Sequence, residues 1–471
     1  MKRIVLAAFF GAFSLLANAQ EEWPLERCIQ HALENNLNIK QAEISVGFAE
    51  INEKQSKQAR YPSLNASANI NSNFGRSIDP ITDAFSTQNF ISNGLNLNTG
   101  MTIFNGYRIS NTIKKSGIDR QAAELDVDQS KRDIALAVAN TYLNALFAEE
   151  NLKIFESQLQ TSNEQLSQIQ KLISAGVRPA NESLDILAQI ATNEQNIISA
   201  ENNEQIALLN LKQLLNLEPN VVMVLETPNQ VEITNDPDLL TFDEVYRSAL
   251  QNQPNVKAAE MRINSAEIDE KISRAGLLPN LSIGGAIGSN YSNQGRRVTG
   301  TESVLRSQEV FINGMPITIE TPIDIPNLEN TPYLNQIDEN LSYGIGLNLN
   351  YPIYNNYATK AGIERSKLNI INAQTQAEIQ KNNLKTTVQQ AIADAKAARR
   401  KLNASERSLE AQQASFSNAE KRFNAGTINS FEYVTIKNAL AQAEVNAVLS
   451  KYEYLFALKI IDFYMGKSIK I

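Results

Sequence analysis

The chain has very little of the residues that carry most protein chemistry: one cysteine, one histidine and one tryptophan in 471 residues. A single cysteine, Cys28, excludes an intrachain disulfide framework. A single histidine, His31, leaves no imidazole cluster for a metal centre or a proton relay. Lying between Ile29 and Ala32-Leu33, His31 reads as a packing or surface residue. Paired acids such as Glu149-Glu150 and Glu182/Asp185 read as solvated helix faces. No nucleophile–base–orienter set accompanies them, so neither an enzyme nor a cofactor is expected. Positive charge is also short. The formal net charge is −8, which argues against a general nucleic-acid binder.

Long apolar runs are missing too. Ile4–Leu16 is apolar but about 13 residues long, where roughly 20 are needed to span a bilayer as a helix. Lys2-Arg3 precedes it and Ala17-Asn18-Ala19 follows, the pattern of a secretory signal segment over residues 1–19. Its removal takes the net charge from −8 to −10. Cys28 lies too far beyond the apolar run to serve as a lipid-modified N-terminus. Without a spanning helix, a secreted chain can still enter a membrane as strands, whose signal is weaker.

What the chain does have is itself twice. Leu25–Leu64 aligns with Phe242–Leu281 at a constant offset of 217, and fifteen of the forty positions are identical. They include Ala49-Glu50-Ile51 with Ala266-Glu267-Ile268, and Pro62 with Pro279. Further on the offset becomes 250: Ile103-Phe104-Asn105 meets Ile353-Tyr354-Asn355, and Ala175-Gly176 meets Ala425-Gly426. Repeat one is expected over 20–217 and repeat two over 241–471. The linker, 218–240, carries Pro219, Pro228 and Pro237. Each repeat reads helix, strand, loop, strand, long helix, turn, helix.

Strands are expected at 63–74, 94–104, 280–291 and 341–354. Leu281, Ile283, Gly285 and Ile287 alternate with Ser282, Gly284, Ala286 and Gly288. Tyr343, Ile345, Leu347 and Leu349 alternate with Gly344, Gly346, Asn348 and Asn350. Period-two alternation gives one dry and one wet face. The wet faces carry asparagine, serine and glycine rather than charge, which suits a water-filled lumen. The same pattern also fits a half-buried sheet in a soluble domain. The glycines lack the Lys-Ser/Thr ending of a phosphate loop. Four strands cannot close a membrane barrel, whose small limit is about eight, so strands in lipid would require several chains to share one. The long segments Gly75–Gly94 and Ser292–Asn340 are expected as extracellular loops.

Proline-free stretches predict helices over 107–174 and 357–424, each about 100 Å long. Shorter helices are expected over 25–60, 181–216 and 430–465. Two short helices end to end match one long one, which suggests a wall of antiparallel pairs. Leu152, Phe155, Leu159, Ser162, Leu166, Ile169 and Ile173 form a heptad seam with one polar break. Leu402, Ser405, Leu409, Gln412, Phe416, Ala419 and Phe423 repeat it.

Pro352-Ile353-Tyr354-Asn355-Asn356 and Ile103-Phe104-Asn105-Gly106 resemble the strand-to-helix turn of the TolC-like outer-membrane efflux and export channels. Ala175-Gly176-Val177-Arg178-Pro179 and Ala425-Gly426-Thr427-Ile428-Asn429 resemble that family's helix–helix turns. With the duplication, the resemblance covers nearly the whole mature chain. It implies mixed α and β architecture, with four strands per chain entering a shared trimeric barrel of twelve and long hairpins forming a periplasmic tunnel. It also implies outer-membrane location and passive conduction in a tripartite efflux or type I secretion system. The partners implied are a homotrimer, a periplasmic adaptor at the two helical turns and, indirectly, an inner-membrane pump. Glu432 and Thr435 fall where the family's acidic residues narrow the tunnel mouth. Thr435 is not an acid, and the basic residue expected near 428 is Ile428. A membrane-anchored helical stalk or adhesin would also use long helices, but gives no reason for matched strand pairs.

Overall fold

In a computed structural model, residues 22–78, 83, 85–86, 90–226, 237–312 and 314–467 are described. The expected signal segment, 1–19, and much of the expected linker lie outside them. Copy one runs β1 (Glu22–Trp23), α1 (Leu25–Asn35), α2 (Leu37–Gln58), β2 (Ser63–Asn73), β3 (Ser77–Ile78), β4 (Phe85–Ser86), β5 (Phe90–Asn105), α3 (Arg108–Ser174), α4 (Glu182–Leu215) and β6 (Val224–Leu225). Copy two runs α5 (Phe242–Asn252), α6 (Pro254–Arg274), β7 (Asn280–Ser292), β8 (Arg296–Ile312), β9 (Met315–Asn330), α7 (Tyr333–Glu339), β10 (Ser342–Asn350), α8 (Ala358–Asn424) and α9 (Ser430–Tyr464). The chain divides into a helical unit (residues 1–51, 117–265 and 370–471) and a strand-bearing unit (52–116 and 266–369).

In the helical unit, the single helix expected over 25–60 is two helices. Asn36 is extended (φ −66°, ψ 132°). Its side chain accepts the Asn38 N–H at 2.9 Å and donates to the Leu214 carbonyl at 2.9 Å, replacing helix bonds with local and long-range ones. In copy two, Gln253 is extended and Pro254 opens α6. Proline has no N–H to continue α5 and its fixed φ suits a helical first turn. A core under these breaks gathers Trp23, Cys28, Val138, Tyr142, Leu146 and Leu211. Tyr142 Oη lies 2.9 Å from the carbonyl oxygens of Trp23 and Glu226, tying it to both strands at the C-terminal end of the parallel β1–β6 pair. Burial pushes the Cys28 thiol up to about 12, so this cysteine is an inert core residue. A second core joins α5, α8 and α9 through Val245, Ala249, Val388 and Ile461. Near the turn, the copy-two seam stands out: from Lys401 to Asn424, Leu402, Ser405, Leu409, Gln412, Phe416, Ala419 and Phe423 alone are less than exposed.

In the strand-bearing unit, β10-β7-β5-β2 form one antiparallel sheet. β5 starts at Phe90 rather than 94, because Asn73 at the end of β2 pairs with it. β10 stops at Asn350, short of the expected 354, where Pro352 can donate no ladder bond. Asn355 then caps the following helix through Thr359 N–H at 3.5 Å, as Asn105 does through Ile109 N–H at 3.3 Å. Both turns need left-handed backbone at successive residues, Gly106 and Tyr107 (φ +66° and +65°) and Asn356 and Tyr357 (φ +52° and +65°). Residues 292–340 are not an irregular loop. β8 and β9 pair from Arg296↔Asn330 to Ile312↔Met315, and α7 follows. Alternating Ile317, Ile319, Ile323 and Ile325 supply the strand pattern that the asparagine, proline and threonine content obscured.

Candidate channel wall and helical tips

The sheet register decides which side chains share a face. Leu347 sits opposite Ile283, which sits opposite Met101. Tyr343 meets Ile287, Ile287 meets Leu97, and Leu97 meets Ala66. One face is therefore apolar across all four strands. On the other, Asn348 meets Ser282, Ser282 meets Thr102, and Ala286 meets Asn98, which meets Asn65. This face is polar and holds no charged side chain at these positions. Leu347 and Leu349 are each 68% exposed, so among the described residues nothing covers the dry face of β10. Such a face is stable against lipid and not against water.

Tyrosines mark both ends of the apolar band. Tyr291 and Tyr333 pack with ring centroids 4.8 Å apart at the loop end, and Tyr351 and Tyr354 are exposed just past β10. Aromatic girdles of this kind sit at membrane interfaces, where a ring is half dry and half wet. Their signal, tyrosine at strand ends, was present in the sequence and went unread. The outermost strands, β10 and β2, have no second partner strand among the described residues. Open edges in lipid would leave backbone groups unpaired, at several kcal/mol each.

In the helical unit, the two turns are closed by the same backbone device. Gly176 N–H donates to Ile173 O at 2.9 Å and Val177 N–H to Leu172 O at 2.9 Å. Gly426 N–H donates to Phe423 O at 3.0 Å and Thr427 N–H to Arg422 O at 2.9 Å. This pattern requires left-handed backbone at the glycine, here φ +73° and +74°. Gly426→Val is therefore expected to destabilise the turn by about 1–2 kcal/mol, with Gly426→Asn far milder. Amide hydrogen exchange across residues 419–433 measures this. Unchanged exchange in the valine variant would show that the turn does not need the left-handed residue.

Arg178 joins the copies. Its guanidinium donates to Phe423 O at 2.7 Å, pairs with Glu182 at 3.2 Å and lies 5.1 Å over the Phe423 ring. A cation thereby caps the C-terminal carbonyls of α8. Ile428, the aligned residue of copy two, is 4% exposed, in a core with Ile169, Ile186, Phe423 and Tyr433. Its side chain thus points away from any contact surface, because a buried isoleucine completes the tip core. Val177 and Phe431 are exposed there instead. Asn429 caps α9 by accepting the Glu432 N–H at 2.9 Å. Glu432 and Thr435 are both exposed one turn apart. Glu432 pairs at 3.3 Å with Arg422, a cation the sequence reading did not assign to this acid. Behind the tip, Ser162, the polar break in the seam, accepts from Asn193 at 2.9 Å and from Lys437 Nζ at 2.9 Å. Lys437 also reaches Gln165 at 3.4 Å, and burial lowers its pKa to about 8. Among the described residues, no His/Cys/Asp/Glu group could hold a metal, and no helix is long and apolar enough to cross a membrane.

A family model described as outer membrane efflux protein matches residues 28–217 and 245–467, one segment in each copy. The chain belongs to the outer membrane efflux protein family. This efflux-family protein is 22% identical to toxin and drug export protein A of Aggregatibacter actinomycetemcomitans, over 56% of each chain. The match thus spans little more than half of that relative. It is 20% identical to outer membrane protein TolC of Vibrio cholerae, over 97% of this chain and 94% of that one. The solved Campylobacter jejuni CmeC outer membrane channel superposes with a TM-score of 0.74 at 17% identity, covering 94% of this chain and 85% of that one. The efflux-family chain is an outer-membrane protein, related to channels and not to enzymes.

Proposed function

We propose that three copies of the mature chain, freed of residues 1–19, close one twelve-stranded barrel. Its lumen continues through the helical hairpins, and it passively conducts substrates outward from the periplasm. The observation that carries this reading is the register: one largely apolar face, one polar uncharged face, and two open edges on a sheet too small to close alone. The long helices then lie in the periplasm. The system is a tripartite efflux or type I secretion machine, in which a periplasmic adaptor docks at the tips and links to an inner-membrane pump. In this reading the exposed residues of Ala175–Pro179 and Ala425–Asn429, with Val177 and Phe431 at hand, meet the adaptor.

Glu432 is assigned to the tunnel mouth, with Thr435 one turn inside. Three copies bring three Glu432–Arg422 pairs together, so the ring is partly neutralised rather than purely acidic. The purified protein in a planar bilayer tests both levels. A heat-resistant oligomer that conducts ions is expected, and Glu432→Gln should lower cation selectivity and weaken block by multivalent cations. An oligomer that conducts nothing would overturn the channel reading. Conduction with unchanged selectivity and block in the variant would take Glu432 out of the pore.

A further inference from the structure

The duplication extends to single side-chain contacts. Glu43 on α2 pairs with Lys131 on α3 at 3.8 Å, and Glu260 on α6 pairs with Lys381 on α8 at 3.6 Å. These are the same positions of the two repeats, at the offsets of 217 and 250. A contact between α6 and α3 can therefore be carried over, residue by residue, to their twins α2 and α8. α6 leads into β7 and α3 follows β5, and those two strands pair. In the helical unit the two helices meet. Arg262 donates to Asp126, Ser265 Oγ to Asp119, and the Asn255 N–H to the Gln129 side chain at 3.3 Å. Numbers fall along one helix as they rise along the other, so the pair is antiparallel. The twins stand at different places in the chain: α2 leads into β2 and α8 follows β10, the two open edges of the sheet.

The line that is covered on α6 is bare on α2. Met261, Ser265 and Ile268 are all less than exposed, Ser265 at 7%. Their twins Ile44, Phe48 and Ile51 are all exposed, Phe48 at 64%. α8 carries a matching line, with Leu368, Ile371, Thr375 and Ile379 all exposed. Steps of three and four residues put each set on one stripe of its helix. Two mainly apolar stripes thus lie on the two helices that flank the open strand edges, and such stripes mark contact surfaces.

We propose that α2 of one copy packs antiparallel on α8 of the next, with Phe48 beside Ile371, Ile51 beside Leu368 and Ile44 beside Thr375. The proposal rests on the shared-barrel reading: closing a ring in the order β10-β7-β5-β2 sets each β10 against the β2 of its neighbour. That closure recreates between copies the pairing that β5 and β7 make within one, and with it the pairing of the helices that follow and precede them. The contacts within the chain fix the register. The pair Ser265–Asp119 carries over to Phe48 and Asn369, and Arg262–Asp126 to Ser45 and Gln376. These two bracket Phe48 against Ile371, within one helical turn. The chemistry of the two seams differs. Within the chain the seam holds an Arg262–Asp126 ion pair, and between copies the same positions are the neutral Ser45 and Gln376. Where the inner seam has Ser265, the outer one has Phe48. The contact between copies is therefore driven by removing apolar side chains from water rather than by charge.

Disulfide trapping of the full chain in its own membrane tests this, the native Cys28 being buried. Under mild oxidation, Phe48→Cys/Ile371→Cys should link copies into covalent oligomers that survive denaturation, and Ile44→Cys/Thr375→Cys should do the same. Phe48→Cys/Ile379→Cys, on the same stripe but about 12 Å further along α8, is beyond disulfide reach and should run as single chains. In parallel, Phe48→Asp should lower the temperature at which the oligomer dissociates in detergent. An intact oligomer whose first two cysteine pairs stay unlinked, equal linkage of the third pair, or an unchanged dissociation temperature in Phe48→Asp would each overturn the helix seam and leave the shared barrel standing. Absence of any oligomer in the unmodified protein would overturn both.

Discussion

Leu347→Arg is expected to remove the heat-resistant oligomer from the outer membrane, whereas Asn348→Arg should assemble and change conductance. The two positions are neighbours on β10, yet the register puts Leu347 in line with Ile283 and Met101 and Asn348 in line with Ser282 and Thr102. An arginine on a lipid-facing strand costs about 2–4 kcal/mol near the midplane. In a barrel made of identical copies that cost recurs in every copy, so it exceeds the effect of one substitution in a single-chain barrel. An arginine on the polar face stays hydrated and places a positive charge beside the permeating ions. The measurement is the amount of unheated oligomer on a gel, followed by single-channel recording. Equal oligomer from both variants would mean that the dry face does not meet lipid.

The second large effect concerns Lys437. It is 6% exposed, and its acceptors are a hydroxyl and a side-chain amide, Ser162 and Gln165 of α3. Glu164 on α3 acts in the opposite direction to burial, and Tyr433, on the same helix as Lys437, receives a hydrogen bond from Gln165. Burial wins and lowers the ammonium from 10.5 to about 8. Below about pH 8 the lysine is charged in both folded and unfolded chains, and the folded tip bears the full cost of burying it. Between about 8 and 10.5 the unfolded chain binds more protons, so stability rises with pH. The shift corresponds to about 3 kcal/mol at most. Lys437→Met should therefore protect residues 158–169 and 430–440 from hydrogen exchange at pH 7 and flatten the rise above pH 8. Ser162 keeps Asn193 as a donor in the variant, so the substitution orphans no hydroxyl. A wild-type tip whose protection does not change between pH 8 and 10.5 would contradict a buried ammonium.

The parts of the fold that follow from local periodicity were legible in the sequence. Alternation placed Leu347 and Asn348 on opposite faces, and Gly176 and Gly426 marked where the long helices stop, because only a permissive residue closes that turn. The heptad spacing of the copy-two seam matches its burial residue for residue. Features that depend on a distant partner were not legible. Asn36 breaks a helix through a local bond to Asn38 and a distant one to the Leu214 carbonyl, and the distant partner is not legible from its own neighbourhood. Arg178 reads as a surface cation until Phe423 O is seen beside it. Pro316, Pro322 and Pro326 read as loop breakers. Their even spacing keeps every missing donor on one edge, and a strand survives them. Lys437 has the residue type of a solvated face and the position of a core residue.

The Arg178 bridge bears on how the gene can change. Copy one retains the basic residue at this position, and copy two has isoleucine in its place and borrows the cation across the tip. Copy two thus depends on copy one for the cation at its tip. A gene split at the midpoint, with one half made in double dose, would assemble tips with either two bridging arginines or none. Neither repeat alone could rebuild the asymmetric tip seen here, which takes one arginine from copy one and one buried isoleucine from copy two.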